Sequence, residues 1–362
     1  MKRFRFLEVA KLLLMCNIEF DPERGQMVQA GTLPGLVVVA VYFCLVLYYV
    51  TQVPHNTSSS FVENFSVVGR VLVTYLTIML VVVEHFFRRK RMLKLGKLML
   101  AYVEYRGSLF KEIPATADIG KLAIRVQICT IVGLPAFYFV MQIVRYFRYI
   151  TFFHVALTFA GLVPDAYVLG NLIFVQMFNN FVCREMKQLT RHLLAMPIRP
   201  LVHGFDQLIV IKRCLDVTLG VRLLLTLFQL TVNVSIYSYL ALLYMFERRV
   251  TGDFVFEVVQ STATIVINNT LVLLGVTYSF DRIQSEEQEF KNAIKSLQYE
   301  ATEEHSEDYL NFLDLINLKL MTESPKITAC GLFTVNLQVF YNVFAAIVTY
   351  IMILFQFRDF EK

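Results

Sequence analysis

The sequence predicts an all-α membrane protein: seven transmembrane helices, a cytoplasmic N-terminus and an extracellular C-terminus, with long helices extending into a cytoplasmic anchor bundle. Three observations predict it. The 362 residues are 56% hydrophobic and only 17% charged, with a mean hydropathy of +0.55, which excludes an ordinary soluble domain. Seven apolar stretches are long enough to cross a bilayer, each needing about 20 residues. Lys and Arg divide unequally between alternate connections, which sets the orientation.

The stretches lie near 34–53, 66–87, 122–146, 150–180, 219–246, 254–280 and 327–357. Ahead of them, residues 1–33 form a cytoplasmic segment. Its basic start, Met1 to Arg5, is not followed by an apolar run with a small-residue cleavage site, so no cleaved signal peptide is expected. The inner connection 88–121 reads as a basic loop. The fourth stretch contains Pro164-Asp165 but no polar loop, which predicts one kinked helix. Cys183 to Ala195 prolong it until Pro197 and Pro200. The fifth helix starts near Gly204 and runs to Phe246, about 63 Å at 1.5 Å per residue, twice a hydrocarbon core of roughly 30 Å.

Beyond the sixth stretch, Ile283, Phe290, Ile294 and Leu297 keep helical spacing through charged surroundings. An acidic turn at Glu303-Glu304-His305-Ser306-Glu307-Asp308 interrupts them. Leu310, Leu313, Ile316 or Asn317, and Leu320 then form a short amphipathic helix that Ser324-Pro325 stops. These extensions are either surface helices or an anchoring bundle where copies associate. The chain therefore divides into 1–33 (cytoplasmic), 34–280 (six transmembrane helices with inner extensions), 281–326 (anchor helices) and 327–362 (last helix and outer tail).

The connections 1–33, 88–121, 181–218 and 281–326 hold 25 of the 34 Lys and Arg. The opposite connections and the tail hold six, and Arg70, Arg125 and Arg222 lie within spans. The positive-inside rule puts the N-terminus inside and the C-terminus outside. A net charge of +5, with the cations in loops, argues for topology and against nucleic acid. The first outer loop offers two glycan acceptors, Asn56-Thr57-Ser58 and Asn64-Phe65-Ser66. None of the six cysteines falls in an outer loop, so no disulfide is expected. No metal spacing, glycine-rich phosphate loop or HExxH pattern is present. Neither an enzyme nor a cofactor is expected.

Chemistry is left to polar groups inside the spans. Arg70, Tyr138, Gln142, His154, Thr158, Asp165, Tyr237, Tyr239, Glu257 and Gln260 occupy the second to sixth stretches, mostly toward their outer halves. Such groups are expensive in lipid and are either functional or paired. One reading is interhelical hydrogen bonding, with Arg70 pairing Asp165. The other is a pocket for a small organic ligand, with Arg70, Tyr138, Gln142, His154, Asp165, Tyr237 and Gln260 as candidates.

The last stretch carries no charge from Ile327 to Phe357, yet Thr334, Gln338, Asn342, Thr349 and Gln356 recur at steps of 4, 4, 7 and 7. At about 100° per residue these five share one narrow side of a helix. That side suits water or other copies of the same helix. Several copies around an axis would enclose a path for small ions, with Thr349 and Gln356 facing inward.

The run Thr349-Tyr350-Ile351-Met352-Ile353-Leu354-Phe355-Gln356-Phe357 resembles the Thr-Tyr, five apolar, Gln-Phe signature of insect gustatory receptors. It sits where that family has it, at the end of the seventh span. The resemblance extends over the chain in length, span number, orientation, long inner helices and a split seventh helix. It implies a tetrameric, ligand-gated, non-selective cation channel, homomeric or mixed with related subunits, in the plasma membrane of a chemosensory neuron's dendrite. It implies a small-molecule tastant and a gate at Gln356 and Phe357, with Gln338, Asn342, Thr349 and Met352 as further pore candidates. Sugar-receptor relatives usually carry an acid after Thr-Tyr, where this chain has Ile351; a bitter or aversive tastant fits better.

Rival classes fit less well. An odorant-receptor-like subunit shares the architecture but needs a co-receptor. A G-protein-coupled receptor requires the opposite orientation and an outer-face disulfide. A transporter would show broken helices in matched halves.

Overall fold

A computed structural model describes residues 18–21, 26–29, 61–110, 152–193, 195–246, 252–300, 307–322 and 325–360, with isolated positions between 37 and 44 and at 129 and 133. The expected first and third spans lie largely outside these residues, as do Tyr138, Gln142 and Asn56. Six helices stand among the described residues. They are α1 (Phe61–Leu109), α2 (Phe152–Arg191), α3 (Ile198–Phe246), α4 (Gly252–Glu300), α5 (Glu307–Thr322) and α6 (Leu337–Phe360). Two small antiparallel hairpins accompany them: β1 (Ile18–Asp21) with β2 (Gln26–Gln29), and β3 (Thr328–Ala329) with β4 (Phe333–Thr334).

Helices α1, α3 and α4 each have 49 residues and α2 has 40. At 1.5 Å per residue these are about 74 and 60 Å long, against a hydrocarbon core of roughly 30 Å. About half of each must therefore stand outside lipid. Among the described residues, three helical stretches are long and apolar enough to cross a membrane: Val68–Leu109, Thr262–Tyr299 and Leu337–Phe357.

Four expectations need correction. The connection after residue 87 is not a loop; α1 continues to Leu109. Met92, Leu95, Met99 and Tyr102, at steps of 3, 4 and 3, are all buried, so a helical stripe persists beneath the basic surface. Helix α3 begins at Ile198, ahead of Gly204, because Pro200 sits in the first turn, where a missing N–H costs nothing. Glu307 and Asp308 form the first turn of α5, a position the helix dipole favours for carboxylates. Thr334 lies in β4, so the polar face of α6 starts at Gln338.

As expected, one uninterrupted helix passes through Pro164-Asp165, and the helix expected from Leu310, Leu313, Ile316 or Asn317, and Leu320 is α5, with Leu313, Ile316 and Leu320 buried and Leu310 and Asn317 half-buried. The β1–β2 hairpin was not expected; Met27 of β2 is 2% exposed and joins the main core beside α1.

The C-terminal halves of α1, α2 and α4 and the N-terminal half of α3 pack around one apolar core, within which Phe205 of α3 stacks on Phe290 of α4 with centroids 4.3 Å apart. Ion pairs are set into the same core. Glu185 of α2 accepts from Arg106 of α1 at 2.7 and 3.0 Å. Lys212 of α3 donates to Glu287 of α4 at 2.5 Å, with both side chains almost fully buried. Burial holds the Lys212 ammonium below the usual lysine range, and the Glu287 carboxylate opposes that shift. Helix α5 closes that end of the core: Asn317 donates to Gln298 of α4 at 2.6 Å, Gln298 donates to Asp314, and Lys319 reaches Asp206 of α3 at 2.6 Å.

Candidate functional site

At the other end of the long helices from that core, polar groups converge between α1, α2 and α3. Arg70 of α1 lies 3.6 Å from Asp165 of α2 and 4.7 Å above the Tyr237 ring of α3. Asn233 of α3 donates to Asp165 Oδ1 at 2.9 Å. Gln229, one turn earlier, donates to Thr74 Oγ1 at 3.1 Å and to Asp165 Oδ1 at 3.5 Å. Steps of four along α3 place Gln229, Asn233 and Tyr237 on one face. A single carboxylate is thus held by a cation and two amides, as a group inside a membrane requires.

Of the expected ligand residues, the structure brings Arg70, Asp165 and Tyr237 together. His154 lies on α2 and Gln260 on α4, with side chains outside the description. Asn64 lies in the first turn of α1 under the same limit. Thr74, Gln229 and Asn233 were missed among the site residues. Their helical spacing is the signal that could have found them: Thr74 stands four residues from Arg70, and Asn233 and Gln229 stand four and eight from Tyr237. Asn233 also carries an unanswered group: it is 2% exposed, and its Oδ1 is buried without a hydrogen-bond partner. A buried acceptor of that kind suits a donor brought by a ligand or water.

A second polar knot ties α1 to α3 nearer the middle of the fold. Arg222 Nη2 donates to His85 Nε2 at 2.8 Å, and Arg222 Nε lies 3.4 Å from Glu84. His85 Nδ1 donates to the Val81 carbonyl at 3.0 Å. Since arginine only donates and a carbonyl only accepts, the His85 ring here is neutral with its proton on Nδ1.

Helix α6 presents two unlike sides. Ile347 and Leu354 are buried, Leu354 against α3, and Phe355 meets Tyr239 edge-on at 5.4 Å. On the opposite side Gln338, Asn342, Thr349, Met352 and Gln356 are all exposed, whereas Phe357, 62% exposed, lies about 100° round the helix from Gln356, nearer Leu354. Gln338 donates to Asn342 at 3.1 Å and Thr349 to the Ala345 carbonyl at 2.9 Å, so these bonds stay within the helix. From Gln338 to Gln356 this face runs about 27 Å at 1.5 Å per residue.

Helix α3 touches both regions. Its Gln229–Asn233–Tyr237 face meets the polar cluster, while Ile236, Tyr239, Leu240 and Leu243 on the adjacent face meet α6. Lower down, Asp216 of α3 accepts from the Thr328 N–H at 2.6 Å and its hydroxyl at 3.0 Å, fixing the β3–β4 hairpin that leads into α6. The hairpin turns through two left-handed residues, Cys330 (φ 57°) and Gly331 (φ 78°). It lies so close to α3 that a Cβ on Gly220 would stand 3.1 Å from the Cys330 nitrogen.

Residues 5–361 match the sequence family described as 7tm Chemosensory receptor. Among solved structures, the insect olfactory receptor OR5 from Machilis hrabei aligns with a TM-score of 0.59 at 13% identity, over 89% of this chain and 88% of that one. The complex of that receptor with eugenol aligns over the same shares at 12% identity and a TM-score of 0.49. No curated protein matches. At such identity the likeness is one of fold.

Proposed function

This chain belongs to the 7tm chemosensory receptor family, and on that premise we propose that it is a gustatory receptor acting as a ligand-gated, non-selective cation channel. The proposal includes seven spans with the N-terminus inside, glycans at Asn56 and Asn64 outside, residues 281–326 in a cytoplasmic anchor, and four copies, identical or related, around one axis. The observation that carries it is the uncovered polar side of α6, opposite Ile347 and Leu354. Lipid gives such a side no partners, whereas copies turned toward a shared aqueous path gain a hydrated lining. Gln356 and Phe357 form the gate, with Gln338, Asn342, Thr349 and Met352 along the same path.

The tastant binds beside the α1–α2–α3 cluster, where Asn233 Oδ1 accepts its donor. Tyr138, Gln142, His154 and Gln260 complete that region. Displacement of Gln229, Asn233 or Tyr237 moves α3, and α3 moves α6 through Tyr239 and Phe355. Ile351, in place of an acid, favours a bitter or aversive compound, and the dendrite of a taste neuron is the site of use.

Current recording in cells expressing the chain alone, and with related subunits, against panels of sugars and bitter compounds tests the reading. A cation current evoked by a bitter compound and altered by Gln356→Ala is expected. Ligand binding without any current, alone or with partners, would overturn it.

A further inference from the structure

We infer that the exposed basic face of α1, directly beyond its lipid-facing stripe, binds the multiply phosphorylated headgroup of an inner-leaflet lipid of the phosphoinositide class. Leu72, Leu76, Leu80, Val83 and Phe87 are exposed on α1, at 45, 57, 41, 45 and 78%. At about 100° per residue they share one side of the helix, the side left to acyl chains. Lys90, Arg91, Lys94 and Lys97 continue that same side, all exposed; the nine positions span an arc of about 120°. Apolar surface thus gives way to cationic surface along one line, without a change of face.

Depth selects the lipid. Counting 1.5 Å per residue from Phe87, Lys90 stands about 4.5 Å and Lys97 about 15 Å further along. The headgroup layer of one leaflet is roughly 5–8 Å thick. Lys90, Arg91 and Lys94 fall in or near that layer, but Lys97 reaches beyond the single phosphate of an ordinary phospholipid. A headgroup that projects from the bilayer and carries several phosphates matches the whole ladder.

The four cations are also unspoken for. Arg88, one residue before them, is turned inward to Glu84 and the Val217 carbonyl. Among the described residues Lys90, Arg91, Lys94 and Lys97 pair with no carboxylate. Cys214 of α3 lies within the electrostatic reach of Lys94 and Arg91, so a headgroup there would sit against the α1–α3 seam. Basic residues at a membrane edge commonly only set topology. Clusters of four or more directly beyond a span, on its lipid side, are what anionic headgroups bind. Assignment to the inner leaflet rests on the orientation proposed above.

The full chain, reconstituted in phosphatidylcholine nanodiscs with a small fraction of phosphatidylinositol bisphosphate or of phosphatidylserine, tests the inference by native mass spectrometry of retained lipid. Lipid lies on both faces of the disc, so the result is independent of orientation and of channel activity. Retention of the bisphosphate above phosphatidylserine is expected. It should weaken about tenfold or more in the double variant Lys90→Gln with Lys94→Gln. It should stay unchanged in the charge-matched variant Arg191→Gln with Lys295→Gln, exposed cations of other helices. Equal retention in all three proteins, or no preference over phosphatidylcholine, would overturn it. Should the double variant misfold, the unmodified protein still decides: a photoreactive phosphoinositide must crosslink within residues 86–98, and crosslinks confined elsewhere refute the site.

Discussion

Asp216 on α3 accepts two hydrogen bonds from Thr328, the first strand residue of the hairpin that delivers the chain into α6. The donors are 112 positions away in sequence, so the bonds join the body of one long helix to the root of the last. Hydrogen bonds to a carboxylate contribute about 1.5–3 kcal/mol. In Asp216→Ala the hairpin loses that hold while the core around Phe205 and Phe290 stays intact. The expected result is a small loss of thermal stability with a ligand dose–response shifted several-fold. Unchanged gating in Asp216→Ala would show that the hairpin does not report to α6. Gly220→Val should act alike, since its Cβ would press on Cys330.

Arg70 and Asp165 form the second pair to test. Both side chains are partly buried, and removing one member of such a pair leaves an uncompensated charge, costing up to the roughly 3–5 kcal/mol of a fully buried pair. Asp165→Ala should therefore melt well below the unmodified protein. Joint replacement, Arg70→Gln with Asp165→Asn, should recover most of the loss. If the cluster also meets the tastant, the double variant folds but responds at altered ligand concentration. Thermal melts of purified protein read the first effect and dose–response curves the second.

Lys212 and Glu287 predict a pH effect with a definite sign. Burial lowers the Lys212 pKa in the folded state. Between the folded and unfolded values the unfolded chain binds the extra proton, so this group's contribution to stability improves as pH rises through that window. Glu287→Gln removes the opposing carboxylate and leaves burial unanswered. The variant should be less stable than the parent by about 3–5 kcal/mol near neutral pH. The gap should narrow as pH is raised toward 10, the range of an ordinary lysine. Melting temperatures across a pH series measure it; a gap that widens would contradict the assignment.

Gln356→Ala and Thr349→Val change the uncovered side of α6 without touching Ile347 or Leu354. Both should leave the folding stability within about 0.5 kcal/mol of the parent, as surface substitutions do. Single-channel recordings should show altered conductance or selectivity for Gln356→Ala and a smaller change for Thr349→Val. Phe357→Ala should raise the probability of opening if its ring closes the path.

Much of this architecture was legible because lipid imposes a plain rule on sequence: long runs without charge. The stretches behind α1, α4 and α6 follow it, and Leu313, Ile316 and Leu320 announce α5 by spacing alone. The inner half of α1 was harder to read. Arg88 to Lys97 crowd its surface with charge and hide the buried Met92, Leu95 and Met99. The β1–β2 hairpin owes its place to Met27 packing on a distant helix, which no local pattern records. In the candidate site, Arg70 and Asp165 stood out because charge in a span is rare. Gln229 and Asn233 did not, since an amide inside a helix reads the same whichever neighbour it faces. The hold of Asp216 on Thr328 is a contact between remote segments and has no local signature.

The bare amide of Gln356 bears on how the protein is made. Gln338 and Asn342 answer one another and Thr349 turns back on its own helix, but among the described residues Gln356 has no partner. A newly synthesised subunit released singly into acyl chains would have to bury that amide unsolvated, at a cost of several kcal/mol. Solitary chains are then poor residents of the bilayer. On the assembly proposed above, cellular quality control would have a handle on orphans, and export from the endoplasmic reticulum would be contingent on finding companions.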